Sequence, residues 1–202
     1  MQTEFEAKFL DINVNALRSK LKALGATQKF AERLMKRLNF DYPDNRLEKV
    51  GGWIRVRDEG DKVTLSYKQL NHRDIDGTQE VNLVVDNFDA ACKFLESIGL
   101  KQKSYQETKR ESWMLGDVDI EIDTWPWIPP FVELEGTSEQ AIKDLAANLG
   151  LDWSKALHGS VETAYQSYYD FTEEEIDNWP KITFGPTPSW LEQKRVRTAS
   201  EN

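Results

Sequence analysis

Five short stretches of this chain carry charge in a two-residue rhythm: EFEAK at 4–8, WIRVR at 53–57, VTLSYK at 63–68, DVDIEID at 117–123 and FVELE at 131–135. Successive side chains on a strand point to opposite sides. Glu4, Glu6 and Lys8 therefore share one face, with Phe5, Ala7 and Phe9 on the other. Arg55 and Arg57 oppose Ile54 and Val56, and Thr64, Ser66 and Lys68 oppose Val63, Leu65 and Tyr67. Asp119, Glu121 and Asp123 oppose Val118, Ile120 and Ile122, and Glu133 and Glu135 oppose Val132 and Leu134. If the apolar faces are covered from outside, the charges point inward, where like charges are costly unless something neutralises them. Facing walls of opposite sign could simply pair. Carboxylates this dense also suit a hard divalent cation such as Mg²⁺, while guanidinium and ammonium groups suit polyphosphate. The signs sort along the chain, with Arg55, Arg57 and Lys68 early and the acidic run from Asp119 to Glu135 late. An acidic wall opposite a basic wall reads as a site for a triphosphate-containing small molecule.

The elements that must hold these faces follow from periodicity. Residues 13–24, 87–98 and 138–149 space their apolar residues as amphipathic helices, each followed by a glycine (Gly25, Gly99, Gly150). Residues 27–41 form a long strand, and turn residues at 58–61 join two alternating runs as a hairpin. A shift of about 74 places lays Gly25 on Gly99, Leu21 on Leu95, Lys36 on Arg110 and Glu6 on Glu80. Two strand–helix–strand–hairpin halves result, and two such halves can close into a barrel without free edges. The expected fold is α+β, an antiparallel barrel with a charged lumen and helices outside. Residues 1–170 form this domain; residues 171–202 form an aromatic, proline-rich tail, with a short helix just before it near 160–169 and fraying at 198–202.

Composition narrows the partners. Among 202 residues the formal net charge is −9, which argues against nucleic acid, and no apolar run suggests a membrane span or leader. The single cysteine, Cys92, rules out an intrachain disulfide and fits a reducing cytoplasm; on its helix it reads as packing. His72 and His158 are the only histidines, so chemistry rests on carboxylates, Lys, Arg or a metal. Trp125, Trp127 and Trp153 read as core or barrel-mouth residues, and Lys194, Arg195 and Arg197 as a solvated tail. A homodimer is left open.

As a set and in this order, EFEAK, WIRVR, VTLSYK, the Glu80 strand, Lys109-Arg110, EID at 121–123 and FVELE resemble the CYTH family, the triphosphate tunnel metalloenzymes. The resemblance covers residues 3–135 and implies an eight-stranded antiparallel tunnel holding Mg²⁺ or Mn²⁺. It implies metal ligation by Glu4, Glu6, Glu121, Asp123, Glu133 and Glu135, and phosphate binding by Lys8, Arg55, Arg57, Lys68 and Arg110. Lys68, Glu80 and Asp123 would form the catalytic set. The activity implied is metal-dependent hydrolysis of an inorganic, nucleoside or thiamine triphosphate, with class IV adenylyl cyclase as the alternative and a non-catalytic polyphosphate or nucleotide binder as a third reading. Two positions depart from the family pattern: Asn82 stands where many relatives carry Glu, and Thr108 where the pattern has Lys, unless Lys109 reaches inward through a bulge.

Overall fold

The alternating runs become eight antiparallel strands in a computed structural model that describes residues 1–177 and 179–198. They are β1 (Gln2–Phe9), β2 (Thr27–Asp41), β3 (Gly52–Asp58), β4 (Val63–Leu70), β5 (Thr78–Val85), β6 (Lys101–Leu115), β7 (Val118–Thr124) and β8 (Phe131–Gly136). The order around the sheet is β2-β3-β4-β5-β1-β8-β7-β6, and β6 returns to β2, closing the barrel. Closure removes the edges that an open sheet would expose.

The internal repeat is visible in this order. The unit β1-α1-β2-β3-β4, with α1 at Val14–Ala23, has its counterpart in β5-α2-β6-β7-β8, with α2 at Phe88–Ser97. The two longest strands, β2 and β6, occupy equivalent places and pair with each other, Leu38 opposite Tyr105. Gly25 and Gly99 both follow their helices with positive φ, 79° and 101°, a conformation that favours glycine.

Side-chain caps set the helix starts. Asn13, Asn87 and Ser138 accept from the backbone N–H of Ala16, Ala90 and Ala141, satisfying donors that the helix leaves unpaired. Leu17 and Leu21 of α1 pack with Ile142, Leu145 and Leu149 of α3 (Glu139–Leu149) against Ala7, Ile120, Val132 and Leu134 on the outside of the barrel. Ala91, Cys92 and Leu95 of α2 cover Leu38, Phe40 and Val56. Apolar faces that are covered from outside leave the opposite faces to the lumen. The expectation that helices cover every apolar face fails at β5, where Val81 and Leu83 are 43% and 56% exposed. The helix that follows this strand packs over β3 and β6 instead.

The C-terminal segment is more ordered than its sequence suggests. It contains α4 (Glu162–Gln166), α5 (Glu173–Asp177), a two-residue strand β9 (Lys181–Ile182) and α6 (Ser189–Glu192). Strand β9 runs parallel to β6 at Tyr105 and Gln106. Tyr165, Tyr168, Phe171, Trp179 and Leu191 form a second core with Trp125 and Phe131. The bases expected to be solvated hold this segment down. Arg195 donates to the Tyr169 hydroxyl at 2.6 Å, Lys194 pairs with Glu175, and Arg197 pairs with Asp11. Their partners come from distant positions, which local sequence does not reveal. Of the stretch expected to fray, 199–202 lie outside the described residues. No described helix is long and apolar enough to cross a membrane.

Replacing Leu134 by Ala, fully buried between barrel and helices, should cost about 3 kcal/mol by urea denaturation. Leu83→Ala, on the uncovered face, should change stability by less than about 0.5 kcal/mol.

Candidate functional site

Twelve residues were expected at the site, and the strand register brings all but one of them onto the wall of a single cavity of about 690 Å³. Glu4, Glu6 and Lys8 come from β1, Arg55 and Arg57 from β3, Lys68 from β4 and Glu80 from β5. Arg110, Asp123, Glu133 and Glu135 come from β6, β7 and β8. Glu121 is set back from the wall, its Oε2 3.9 Å from Arg110 Nε. Asp119 is exposed, because β7 leaves the lumen before reaching it.

The acidic and basic walls engage each other. Lys8 Nζ lies 3.0 Å from Glu133 and 3.2 Å from Glu6, and donates to the Gly159 carbonyl at 2.6 Å. Lys68 Nζ bridges Glu4 and Glu80 at 2.8 and 2.9 Å. Arg110 makes a two-pronged contact with Asp123, 2.6 Å on each arm, and reaches Glu133 at 3.4 Å. Arg55 stands 3.7 Å from Glu80. Burial opposes the charges of Lys8 and Glu133, but their attraction prevails, raising the Lys8 pKa and lowering that of Glu133.

Pairing is incomplete at three of the carboxylates on the cavity wall. Burial, with a hydrogen bond to Glu80, pushes Glu4 from its ordinary 4.5 up to about 8, so this pair of carboxyls shares a proton. Burial also raises Glu135, whose carboxylate forms no hydrogen bond or ion pair among the described residues. Glu80 Oε1 is buried with no hydrogen-bond partner. No three of the described acidic side chains converge on one point as they stand. Even so, a cluster short of positive charge, with a vacant carboxylate oxygen, has the donor chemistry of a hard divalent cation. Glu4, Glu80 and Glu135 fit such an ion.

Among the charged residues the sequence reading did not place here are Arg37, which lines the cavity, and Glu59, which is buried beside Arg57. Glu59, 5% exposed, receives Arg57 at 2.6 Å and the Thr64 hydroxyl at 3.1 Å. It lies in a turn, where alternation says nothing. Arg37, 6% exposed, projects inward from β2, between Arg57 on β3 and Gln106 on β6 in the register. The signal was present, since Arg37 and Asn39 alternate with Leu38 and Phe40. The departures are also settled in space. Lys109 stacks on Phe184 at 5.3 Å outside the barrel, so Thr108 remains the buried position, and its hydroxyl accepts from Arg37 at 2.9 Å. Asn82 lines the cavity and accepts from the Ser66 hydroxyl at 2.8 Å.

The family model described as the CYTH domain matches residues 2–169. No curated protein matches the chain. Among solved structures, a protein of Vibrio parahaemolyticus assigned as an adenylate cyclase is 18% identical, with a TM-score of 0.70, covering 82% of this chain and 98% of its own. The PH1012 protein of Pyrococcus horikoshii is 22% identical with a TM-score of 0.64, covering 76% of this chain and 93% of its own. A Hippeastrum protein assigned as an adenylyl cyclase, with a dominant triphosphatase activity, is 15% identical with a TM-score of 0.56, covering 83% and 96%. At these identities the likeness shows the fold.

The raised carboxyls set a pH dependence. Glu4 is pushed to about 8 and Glu121, mainly by burial, to about 7. Between about pH 5 and 8 the folded protein holds protons that the unfolded chain has lost, so stability falls as pH rises. Thermal melts of metal-free protein should therefore show a decline across this window, shallower in Glu4→Gln. A wild-type profile that is flat or rises would contradict the charge-deficient cluster.

Proposed function

The chain belongs to the CYTH family, and from that premise we propose that it is a metal-dependent hydrolase of a triphosphate-containing small molecule. The observation carrying this reading is the lumen itself, where the under-neutralised carboxylates Glu4, Glu80 and Glu135 share one cavity with Arg55, Arg57 and Arg110. Residues 1–170 would form the tunnel domain and 171–202 an appended segment. A free buried cysteine accords with a reducing, cytoplasmic setting.

Glu4, Glu80 and Glu135 would hold Mg²⁺ or Mn²⁺, assisted by Glu6 and Glu133 once phosphate draws Lys8 toward itself. Such a metal, when bound, supplies neutralisation of charge on the phosphate oxygens. The guanidinium groups of Arg55, Arg57 and Arg110 would grip non-bridging oxygens. Asp123, bonded to both arms of Arg110, keeps that guanidinium plane fixed. Lys68, between Glu4 and Glu80, holds both carboxylates in place and adds positive charge where the transition state becomes more negative. The unpartnered Oε1 of Glu80 can accept a hydrogen bond from the attacking water. Water oxygen bonds to the terminal phosphorus, the bond to the bridging oxygen breaks, and the water proton passes to a carboxylate.

Incubation with Mg²⁺ or Mn²⁺ and tripolyphosphate, ATP or thiamine triphosphate, followed by chromatography, tests the reading. Release of orthophosphate is expected; cyclic AMP with pyrophosphate from ATP would assign a cyclase instead, and no turnover would leave a binding protein. Glu135→Gln should lower kcat on the order of a hundredfold with the fold intact, the loss of about 3 kcal/mol of transition-state stabilisation. Arg57→Ala should raise KM and also lower kcat, since guanidinium contacts tighten as charge builds on the transferred group. A lowered melting temperature with unchanged kinetic constants would return Arg57 to a purely structural role beside Glu59.

A further inference from the structure

Arg57 lines the cavity, but the carboxylate that holds it does not. Its Nε–H and an Nη2–H both donate to Glu59 Oε1, at 3.0 and 2.6 Å. Glu59 lies in the turn between β3 and β4 and is 5% exposed. It is itself fixed from several sides. The Thr64 hydroxyl donates to the same oxygen at 3.1 Å, while Lys62 and Arg33 stand 3.8 and 3.9 Å from Oε2. Arg33 Nε also donates to the Glu59 carbonyl at 3.0 Å, and its Nη1 donates to the Ser112 hydroxyl at 3.1 Å. The turn is thereby tied to β2 and β6.

The duplicated unit shows what Glu59 replaces. In the second half, Arg110 on β6 stands opposite Asp123 on β7, and the two pair on the cavity wall. In the first half, the corresponding strands β2 and β3 set Arg37 opposite Arg57. Arg57 and Asp123 each occupy the sixth place of a seven-residue strand. Like charges directly opposite one another are destabilising, so this half needs a carboxylate from elsewhere. Glu59 supplies it from behind the wall. Burial opposes its charge, but Arg57 prevails and lowers the Glu59 pKa. Among the described residues Arg57 donates to no other acceptor, which leaves Nη1 for a ligand.

We infer that Glu59 is a positioning residue, which fixes the Arg57 guanidinium from behind the cavity wall so that a phosphate oxygen meets a donor already oriented. This rests on the triphosphate reading above and deepens it. A side chain ordered before binding loses less freedom when the ligand arrives, and that gain appears as affinity. Glu59 thus assists anion binding although it is an anion itself. A carboxylate that only offset charge would do the reverse, and its removal would tighten the grip on phosphate.

Calorimetric titration of the full chain with tripolyphosphate and Mg²⁺ tests this through a double-mutant cycle. Glu59→Ala should weaken binding by about threefold to thirtyfold, the range of coupling between residues in contact. In the Arg57→Ala background the same change should matter by less than about twofold, because Glu59 acts through Arg57. Glu59→Gln, which keeps an oxygen to accept from Arg57, should restore most of the affinity. Glu59→Asp keeps the charge but is one methylene shorter, and decides the matter by the same loss if the Ala variant does not fold. Wild type that binds tripolyphosphate while folded Glu59→Ala or Glu59→Asp binds it as tightly, or more tightly, would overturn the positioning role and leave the triphosphate reading standing. An equal loss in the Arg57→Ala background would do the same. Wild type that does not bind tripolyphosphate would overturn both.

Discussion

The structure depends on enclosed charge that the protein alone does not fully neutralise. Lys8, Lys68 and Arg110 each bind carboxylates at close range, and those contacts hold most of the lumen together. Taking an ion out of water costs several kcal/mol (about 3–5 when a buried pair loses one partner), so these pairs must be met with good geometry or not be buried at all. Two groups remain outside this balance. On the acidic side Glu4 and Glu80 share the one ammonium of Lys68 and Glu135 has no ion-pair partner among the described residues, and on the basic side Arg37 meets no carboxylate beside three other arginines. Surpluses of opposite sign in one cavity suit a ligand that is itself a cation bound to a polyanion.

Everything outside the barrel serves to keep those charges inside. The capped helices α1 and α3 seal the outer face of β1, β7 and β8, and α2 seals that of β2 and β3. A one-residue slip of register in any strand would exchange its apolar and charged faces, and the apolar cores would then meet carboxylates. Register is thus enforced from both sides, by packing outside and by ion pairs inside. The uncovered stretch at Val81 and Leu83 of β5, like Phe30 and Leu34 on β2, marks a place where this double enforcement is relaxed on the outer side. The duplicated unit explains the layout economically, because the two long strands β2 and β6 meet and complete the ring.

The C-terminal segment changes what the lumen is. A barrel of this kind is open at both ends by construction. Here Trp179, Ile182 and Leu191 join Tyr165 of α4 and the following Tyr168 and Tyr169 in an aromatic core against Trp125 and Phe131, and the Trp179 carbonyl accepts from the Ser104 hydroxyl at 2.7 Å. The cavity wall there gains an apolar patch, Ile176 and Ile182 beside Trp125.

Much of this was legible in the residues. Alternation with period two decided which side chains share a face, the amphipathic helices indicated which face is covered, and the repeat suggested closure; all three follow from local backbone geometry. The cavity-facing positions of Glu4, Arg55, Lys68, Glu80, Asp123, Glu133 and Glu135 were accordingly found in advance. What alternation does not carry is depth and partnership. Asp119 shares a face with Asp123 yet stands in solvent, since β7 runs out of the lumen. Glu59 enters from a turn, Lys194, Arg195 and Arg197 meet carboxylates and a tyrosine far away or around a bend, and Arg37 becomes significant only beside Arg55, Arg57 and Arg110. The sign and face of a charge are properties of its own strand. Whether that charge is answered depends on strands brought alongside it by closure of the barrel, and only the tertiary structure decides that.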